Sequence, residues 1–575
     1  MLLVANQNKL RQLFNGSIIG LNEVLCFLIL VTPLHLTYLV AYLSGYLSYK
    51  LTIISIYASF WNVAALLIFA LPGKRLLLYA IYILLSIISL GEMFYISLYK
   101  STISRPEFYI IYETYFAETK AYFQDYFNMN TSFVIIVIFY SLGLLGLLRC
   151  CKKINRKKLN VLLVLCLCLI LTTLSSMRAR TETVENNIFV KLIQSYRSYT
   201  KYRDDFKKTL SASLSEIEDV AVQPGDNGNQ VHILILGEST SRTHMGIYGY
   251  ERNTNPRMSE MKDELYIFRD VISPHSHTIP IIRKIFTFAN YENENVNSKS
   301  LIQYVRKAGY KTYWISNQYK GDAVVDLVAE SSDSTFFLNN KENYIGKKCL
   351  DSNVFLPLSI ALKEKVNKKF IVIHLLGTHG KYEERYPTSF MKFTSSKRSN
   401  KDWAWLVNEY DNAVLYNDYI VSTIINKVKK ENMISSVLYF SDHGDDVFDV
   451  GDFALHTETL ATFPMFSIPF ILWFSPEYKK ENAEMVNYLN TCLNRQYMTD
   501  DVIHSIFDLL HIRSSNYNEG RSIFNPQFVQ RKRKIGGLDF DNEIALIRNL
   551  EEYQQSKIEF DDYEASLKQR IIKIS

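Results

Sequence analysis

Five apolar runs, near residues 19–46, 51–71, 76–98, 132–148 and 159–176, occupy the first third of this 575-residue chain. Each is long enough to cross a bilayer as a helix, which takes roughly 17–25 residues. The expectation is a five-helix transmembrane domain over 1–176, followed by a part of mixed polarity. The first run holds Pro33, where a tilt or kink is expected. That run is too long for a cleavable signal peptide and lacks its small-residue cleavage site.

Basic residues orient the spans. Lys74 and Arg75 follow the second; Arg149, Lys152, Lys153, Arg156, Lys157 and Lys158 follow the fourth. The longer loop between the third and fourth carries Glu107, Glu113, Glu118 and Asp125 with few cations. Basic turns face the cytoplasm, so the large C-terminal part lies outside. In a Gram-negative cell that is the periplasmic side of the inner membrane. The net charge of +6, from 64 basic and 58 acidic side chains, owes much to these turns and gives no reason to expect nucleic acid. Of seven cysteines, only Cys349 and Cys492 belong to the exported part. Their compartment permits a disulfide, and whether they pair stays open.

Residues 177–222 read as a polar helical connector, and the breakers "PGDNGNQ" at 224–230 as a loop, so 177–230 forms a linker. Beyond it, apolar strands are expected at 231–236, 311–315, 370–374, 436–440 and 468–473, with helical patterns such as 301–308 and 409–429 between them. This alternation predicts an α/β domain with a largely parallel sheet. Ligands bind beyond the carboxyl ends of such strands. Three strands run into polar clusters, "GESTS" at 237–241, "HLLGTHG" at 374–380 and "SDHGDD" at 441–446, with His456 following. Glu238, Asp442, His443, His379 and His456 are thereby expected at one sheet edge, and mixed carboxylate and imidazole ligands suit Zn2+. His374, inside an apolar strand, reads as a core residue. Ser239 is placed like the nucleophile of a Gly-x-Ser-x-Gly elbow, but Ser241 stands where the second glycine is needed. The hydroxyls of Ser239, Thr240 and Ser241 read instead as N-caps of a following helix, and the nucleophile is expected elsewhere.

The stretches "GESTSRTHMGIYGYERNTNP", "SPHSHTIPIIRKIFTFAN", "IVIHLLGTHGKYEERYP", "YFSDHGDDVFD" and "GRSIFNPQF" resemble the CptA/EptC-type lipopolysaccharide phosphoethanolamine transferases of the alkaline phosphatase/sulfatase superfamily, in register from the membrane spans to about residue 527. The resemblance implies a sulfatase-like periplasmic catalytic domain over 231–575. It implies that Glu238, Asp442, His443 and Thr278 hold Zn2+, with Thr278 the nucleophile. His379 and His456 match histidines that bind the transferred phosphate or a second zinc. Thr114 and Glu118 of "YETYFAETKAYF" match contacts to the lipid headgroup, although Ile110 stands where the family has asparagine. The implied reaction takes phosphoethanolamine from phosphatidylethanolamine, through a phosphothreonine, to a core heptose or lipid A of lipopolysaccharide, releasing diacylglycerol. Metal coordination supplies the activation that a threonine hydroxyl lacks at neutral pH. His275 and His277, beside Thr278 in a proline-flanked loop, read as incidental. Two alternatives stand beside this reading. One is a phosphoglycerol transferase of the lipoteichoic acid synthase type; the other is a non-catalytic membrane protein with a degenerate sulfatase-like domain, which the retained ligands argue against.

Overall fold

The computed structural model describes residues 21–49, 51–56, 58–59, 75–99, 101–113, 131–150, 186–211, 217, 220–222, 228–294, 299–321, 324–339, 348–394, 404–450, 454–458 and 461–545. The membrane part contributes helices α1 (Leu21–Leu43), α2 (Arg75–Tyr99), α3 (Arg105–Glu113) and α4 (Thr131–Cys150). Leu30 and Leu34 of α1 pack with Tyr82 and Leu85 of α2 and Ile136 of α4. Among the described residues two stretches, Leu76–Tyr99 and Thr131–Arg149, are long and apolar enough to cross a membrane. Only residues 51–56 and 58–59 of the expected second span are described, and the fifth lies outside the described residues. Pro33 sits within α1 without ending it.

The connector forms α5 (Ile188–Ser211). The soluble part then builds β1 (Gln230–Gly237), β2 (Leu265–Ile267), α6 (Thr278–Phe286), β3 (Lys311–Tyr319), β4 (Ser334–Asn339), β5 (Lys368–His374), α7 (Ala404–Lys429), β6 (Ile434–Ser441) and β7 (Phe470–Phe474). Seven strands form one sheet in the order β2–β7–β6–β1–β5–β3–β4. The strands from β6 to β4 are parallel, as expected. The strand expected at 468–473 departs from that pattern, because β7 runs antiparallel to both β6 and β2.

β1 is buried along its whole length, so its side chains feed both faces of the sheet. Leu234 and Leu236 join a core with Phe286, Trp314 and Phe507. Ile233 and Ile235 join the opposite core with Tyr410, Val414 and Trp473. Tyr99, the last residue of α2, packs with Ile272, Phe463 and Met465 of the soluble part. Cys349 and Cys492 are both buried free thiols, so they form no bridge.

Candidate metal centre

Strand register brings the acids together. In the parallel pairing of β1 and β6, Gly237 lies opposite Ser441. The next residues, Glu238 and Asp442, therefore leave neighbouring strands side by side, about 5 Å apart. Both are buried, as is His443. The third cluster follows β5, which flanks β1 on its other side, with Leu236 opposite His374. Thr378 N–H and Oγ both donate to the Glu238 carbonyl, at 2.9 and 3.2 Å. Gly377 makes this approach possible: its φ is +55°, and a Cβ there would lie 2.5 Å from the Glu238 carbonyl oxygen.

Asp442 is held at one oxygen and open at the other. Oδ1 accepts the backbone N–H groups of His443 and Ser239, at 2.7 and 3.2 Å. Oδ2 accepts the Thr278 hydroxyl at 2.7 Å. The same hydroxyl oxygen is 3.4 and 3.3 Å from the two Glu238 oxygens. Thr278 is the first residue of α6, which places its hydroxyl at the positive end of a helix. His443 Nδ1 bonds to the Gly444 carbonyl at 3.1 Å, which leaves Nε2 as the nitrogen turned to the carboxylates. Nε2 is 3.2 Å from Glu238 Oε1 and 3.6 Å from Asp442 Oδ2, yet it makes a well-aligned hydrogen bond to neither.

These groups fit a divalent cation. Glu238, Asp442 and His443 each offer a ligand atom within 4.8 Å of the others, and Thr278 Oγ1 is a fourth. One imidazole nitrogen with carboxylate and hydroxyl oxygens converging on a point is a donor set that suits zinc. The electrostatics agree. Burial, then the neighbouring Glu238 charge, pushes Asp442 up to about 6. Burial favours a neutral His443 ring, but Asp442 and Glu238 outweigh it and push the imidazole up to about 10. Two buried carboxylates so close call for positive charge.

A second group adjoins the first. His443, Asp445 and His456 also offer ligand atoms within 4.8 Å of one another. Asp445 Oδ1 pairs with His456 Nδ1 at 2.6 Å, and Oδ2 accepts the Tyr382 hydroxyl at 2.7 Å. Burial pushes Asp445 up to about 6. Burial and then His443 and His379 keep the His456 ring neutral, well below its usual range. His379 acts on both His456 and Asp445 through its charge. Thr114 and Glu118 lie outside the described residues.

Several expectations need correction. Ser239 does not cap a helix: its hydroxyl bonds Glu238 Oε1 at 3.0 Å and its φ is +57°. That left-handed turn is held by Asp442 at the Ser239 N–H and by the Tyr410 hydroxyl at its carbonyl, 2.8 Å away. Thr240 Oγ turns back to the Glu238 carbonyl at 3.3 Å. Only Ser241 caps, and what it caps is the 3-10 turn Arg242–His244. His374 is buried as expected, but neither ring nitrogen has a hydrogen-bond partner, and burial lowers it to about 4. His275 and His277 are not incidental loop residues. His275 Nδ1 pairs with Glu458 at 3.0 Å, and the same oxygen accepts the Ser276 N–H at 3.0 Å. His277 is 3% exposed, its ring centroid 5.0 Å from that of His456.

Sequence reasoning passed over Gln318, which reaches Glu238 Oε2 at 3.5 Å and the Leu375 carbonyl at 2.9 Å. It also passed over Asp445, Glu458 and Tyr410. Asp445 stands in the acidic run after His443, and Glu458 two residues past His456. Gln318 and Tyr410 carry no such signal.

Comparison with known proteins follows the same lines. Residues 230–512 match the family model described as Sulfatase. The phosphoethanolamine transferase EptC of Escherichia coli strain K12 is 28% identical over 515 residues, 84% of this chain and 87% of that protein. The crystal structure of the C-terminal periplasmic domain of EptC from Escherichia coli in complex with Zn is 30% identical; it covers 57% of this chain and 96% of that one, with a TM-score of 0.53. The integral membrane protein lipooligosaccharide phosphoethanolamine transferase A of Neisseria meningitidis shares the fold over 87% of this chain and 97% of its own, at 21% identity and a TM-score of 0.64.

Proposed function

Because this chain belongs to the CptA/EptC-type phosphoethanolamine transferases of the sulfatase family, we propose that it takes phosphoethanolamine from phosphatidylethanolamine onto Thr278 and passes it to lipopolysaccharide, at a core heptose or at lipid A. The observation that carries this reading is the Thr278 hydroxyl itself, 2.7 Å from Asp442 and 3.3 Å from Glu238. Glu238, Asp442, His443 and Thr278 would hold Zn2+, which when bound lowers the hydroxyl pKa and offsets charge on phosphoryl oxygens.

The residues of the chain divide the remaining work. In the first half-reaction the bond from Thr278 Oγ to phosphorus forms and the bond from phosphorus to the glycerol oxygen breaks. The hydroxyl proton ends on the departing diacylglycerol. Asp442 Oδ2, already accepting that proton in a hydrogen bond, aims the Oγ lone pair away from itself. His456 and His379 stand beside the centre to bind phosphoryl oxygens, and the N-terminus of α6 favours the same charge. In the second half-reaction an acceptor oxygen attacks the phosphorus, and Thr278 Oγ leaves with the acceptor's proton.

Two lipid substrates explain the membrane anchor. The chain is read as an inner-membrane protein with a transmembrane domain over 1–176, a connector over 177–230 and a periplasmic catalytic domain over 231–575, with Thr114 and Glu118 meeting the donor headgroup. A Thr278→Ala protein in membranes supplied with labelled phosphatidylethanolamine is expected to leave lipopolysaccharide unlabelled. Labelling at the wild-type rate would overturn the reading.

A further inference from the structure

The loop that leads into α6 is anchored residue by residue. Ser273 N–H donates to the Phe466 carbonyl, and Ser273 Oγ to the His275 carbonyl, both at 2.8 Å. His275 Nδ1 and the Ser276 N–H both bond Glu458 Oε1 at 3.0 Å. Thr278 then opens α6 with its hydroxyl on Asp442. His277 stands between these fixed points in extended backbone, and its side chain makes no cap bond to the helix it precedes. Its ring is therefore aimed by a backbone with little freedom to turn it elsewhere.

That ring is 3% exposed, yet among the described residues neither of its nitrogens has a hydrogen-bond partner. Burying an imidazole unpaired costs stability, and the surroundings are polar. The ring centroid lies 5.0 Å from that of His456, which lies 4.1 Å from that of His443. Burial, then the His456 charge, holds the ring neutral, while Glu458 works the other way. A neutral imidazole has one N–H to donate. His374 makes the contrast, for it too is buried with both nitrogens unpartnered, but it ends β5 with its ring 6.1 Å from that of Trp314 in the apolar core. Among the described residues, the two sets of metal-ligating atoms gathered within 4.8 Å do not include His277.

What comes beside this N–H in the reaction is the phosphoryl group that Thr278 accepts, one residue away. Its oxygens are anionic acceptors, and hydrogen bonds to ionised acceptors are the strong ones. We propose that the His277 N–H donates to a non-bridging oxygen of the phosphoryl group as it passes to Thr278, beside the position that His456 serves. The inference rests on Thr278 being the nucleophile. His277 keeps its proton throughout. The bond from Thr278 Oγ to phosphorus forms, the bond from phosphorus to the glycerol oxygen breaks, and the hydroxyl proton leaves with diacylglycerol. The imidazole adds one preorganised hydrogen bond that strengthens in the transition state.

The test incubates the zinc-loaded full chain in lipid nanodiscs with phosphatidylethanolamine and no acceptor, and follows the phosphoethanolamine mass on Thr278 with time. His277→Phe keeps a buried ring and removes the N–H. It is expected to slow labelling about ten- to a hundredfold, with the KM for phosphatidylethanolamine within about twofold of wild type. His277→Gln, whose amide can donate again, is expected to recover most of the lost rate. The zinc-induced rise in melting temperature is expected to match wild type in both variants, which a merely structural role would not leave untouched. Labelling at the wild-type rate in His277→Phe, or slow labelling that glutamine does not relieve, would overturn the proposal. If His277→Phe does not fold, His277→Ala with added imidazole decides. Labelling restored by imidazole supports the donor; labelling that is slow with and without it, or normal without it, overturns the donor. A wild-type protein that never carries the group on Thr278 removes the nucleophile reading itself, whereas normal labelling in His277→Phe removes only the hydrogen bond.

Discussion

Replacing Asp442 by asparagine separates two roles of one carboxylate. The asparagine carbonyl keeps the hydrogen bonds from His443 N–H and Ser239 N–H now made to Oδ1. Its amide group takes the Oδ2 side and turns two protons toward Thr278 and the metal centre. With ligand atoms no more than 4.8 Å apart, a bound cation sits within roughly 4 Å of the lost charge. At an effective dielectric constant of about 20 that separation is worth about 4 kcal/mol for two unit charges and more for a divalent ion, so the loss is at least about three decades of affinity. Without metal the sign reverses. Burial and Glu238 raise Asp442 from 3.8 to about 6, so this carboxyl stabilises the fold while protonated and costs stability as pH rises through that range. At neutral pH the chelator-treated variant is expected to melt above chelator-treated wild type. Melting curves with and without zinc read both effects. Wild type gains about 2.7 kcal/mol when zinc stands at a hundred times its Kd, and the variant gains almost nothing at the same concentration. A zinc-induced shift in Asp442→Asn equal to that of wild type would refute the reasoning.

Three further outcomes follow from the same geometry. Gly377→Ala forces a left-handed alanine, at about 1–2 kcal/mol, and drives its Cβ against the Glu238 carbonyl; calorimetry is expected to show weaker zinc binding as well as a lower melting point. Glu107→Ala removes the shared acceptor of Tyr95 and Thr457 and is expected to slow transfer about tenfold through the His456 loop, at a stability cost of about 2 kcal/mol; initial rates in nanodiscs check it. Burial disfavours a charged His244, but Asp449 and Asp411 outweigh it and push the ring up to about 10. Its stabilisation is therefore complete below 6.5 and drains as pH rises toward 10, so urea melts across that range should fall more steeply for wild type than for His244→Gln.

Much of the site was legible because strand ends are legible. Apolar runs that stop at Gly237, His374 and Ser441 announced parallel strands, and parallel register alone sets Glu238 beside Asp442. The direction of β7 was not legible, since a five-residue apolar run carries no sign of whether its neighbours run with it or against it. The hydroxyls after Glu238 were misread because cap propensity describes a regular helix start, whereas Ser239 is pinned in a left-handed turn by Asp442, about two hundred residues away. Gln318 and His277 join the site through tertiary packing that no local pattern encodes. Thr278 came from the resemblance. Nothing in a proline-flanked loop says that its first helical residue meets two carboxylates across the sheet edge. In the membrane part hydropathy gave run lengths, but it could not show that the Tyr95 hydroxyl reaches Thr457.

The central claim is that a cation held by Glu238, Asp442 and His443 makes Thr278 the attacking group. Peptide mapping by mass spectrometry of zinc-loaded protein, incubated with phosphatidylethanolamine and no acceptor, tests it most directly. The account predicts one phosphoethanolamine group on Thr278, absent after chelation and absent in Asp442→Asn. An unmodified Thr278 in protein that goes on to label lipopolysaccharide, or the group on any other residue, would contradict it.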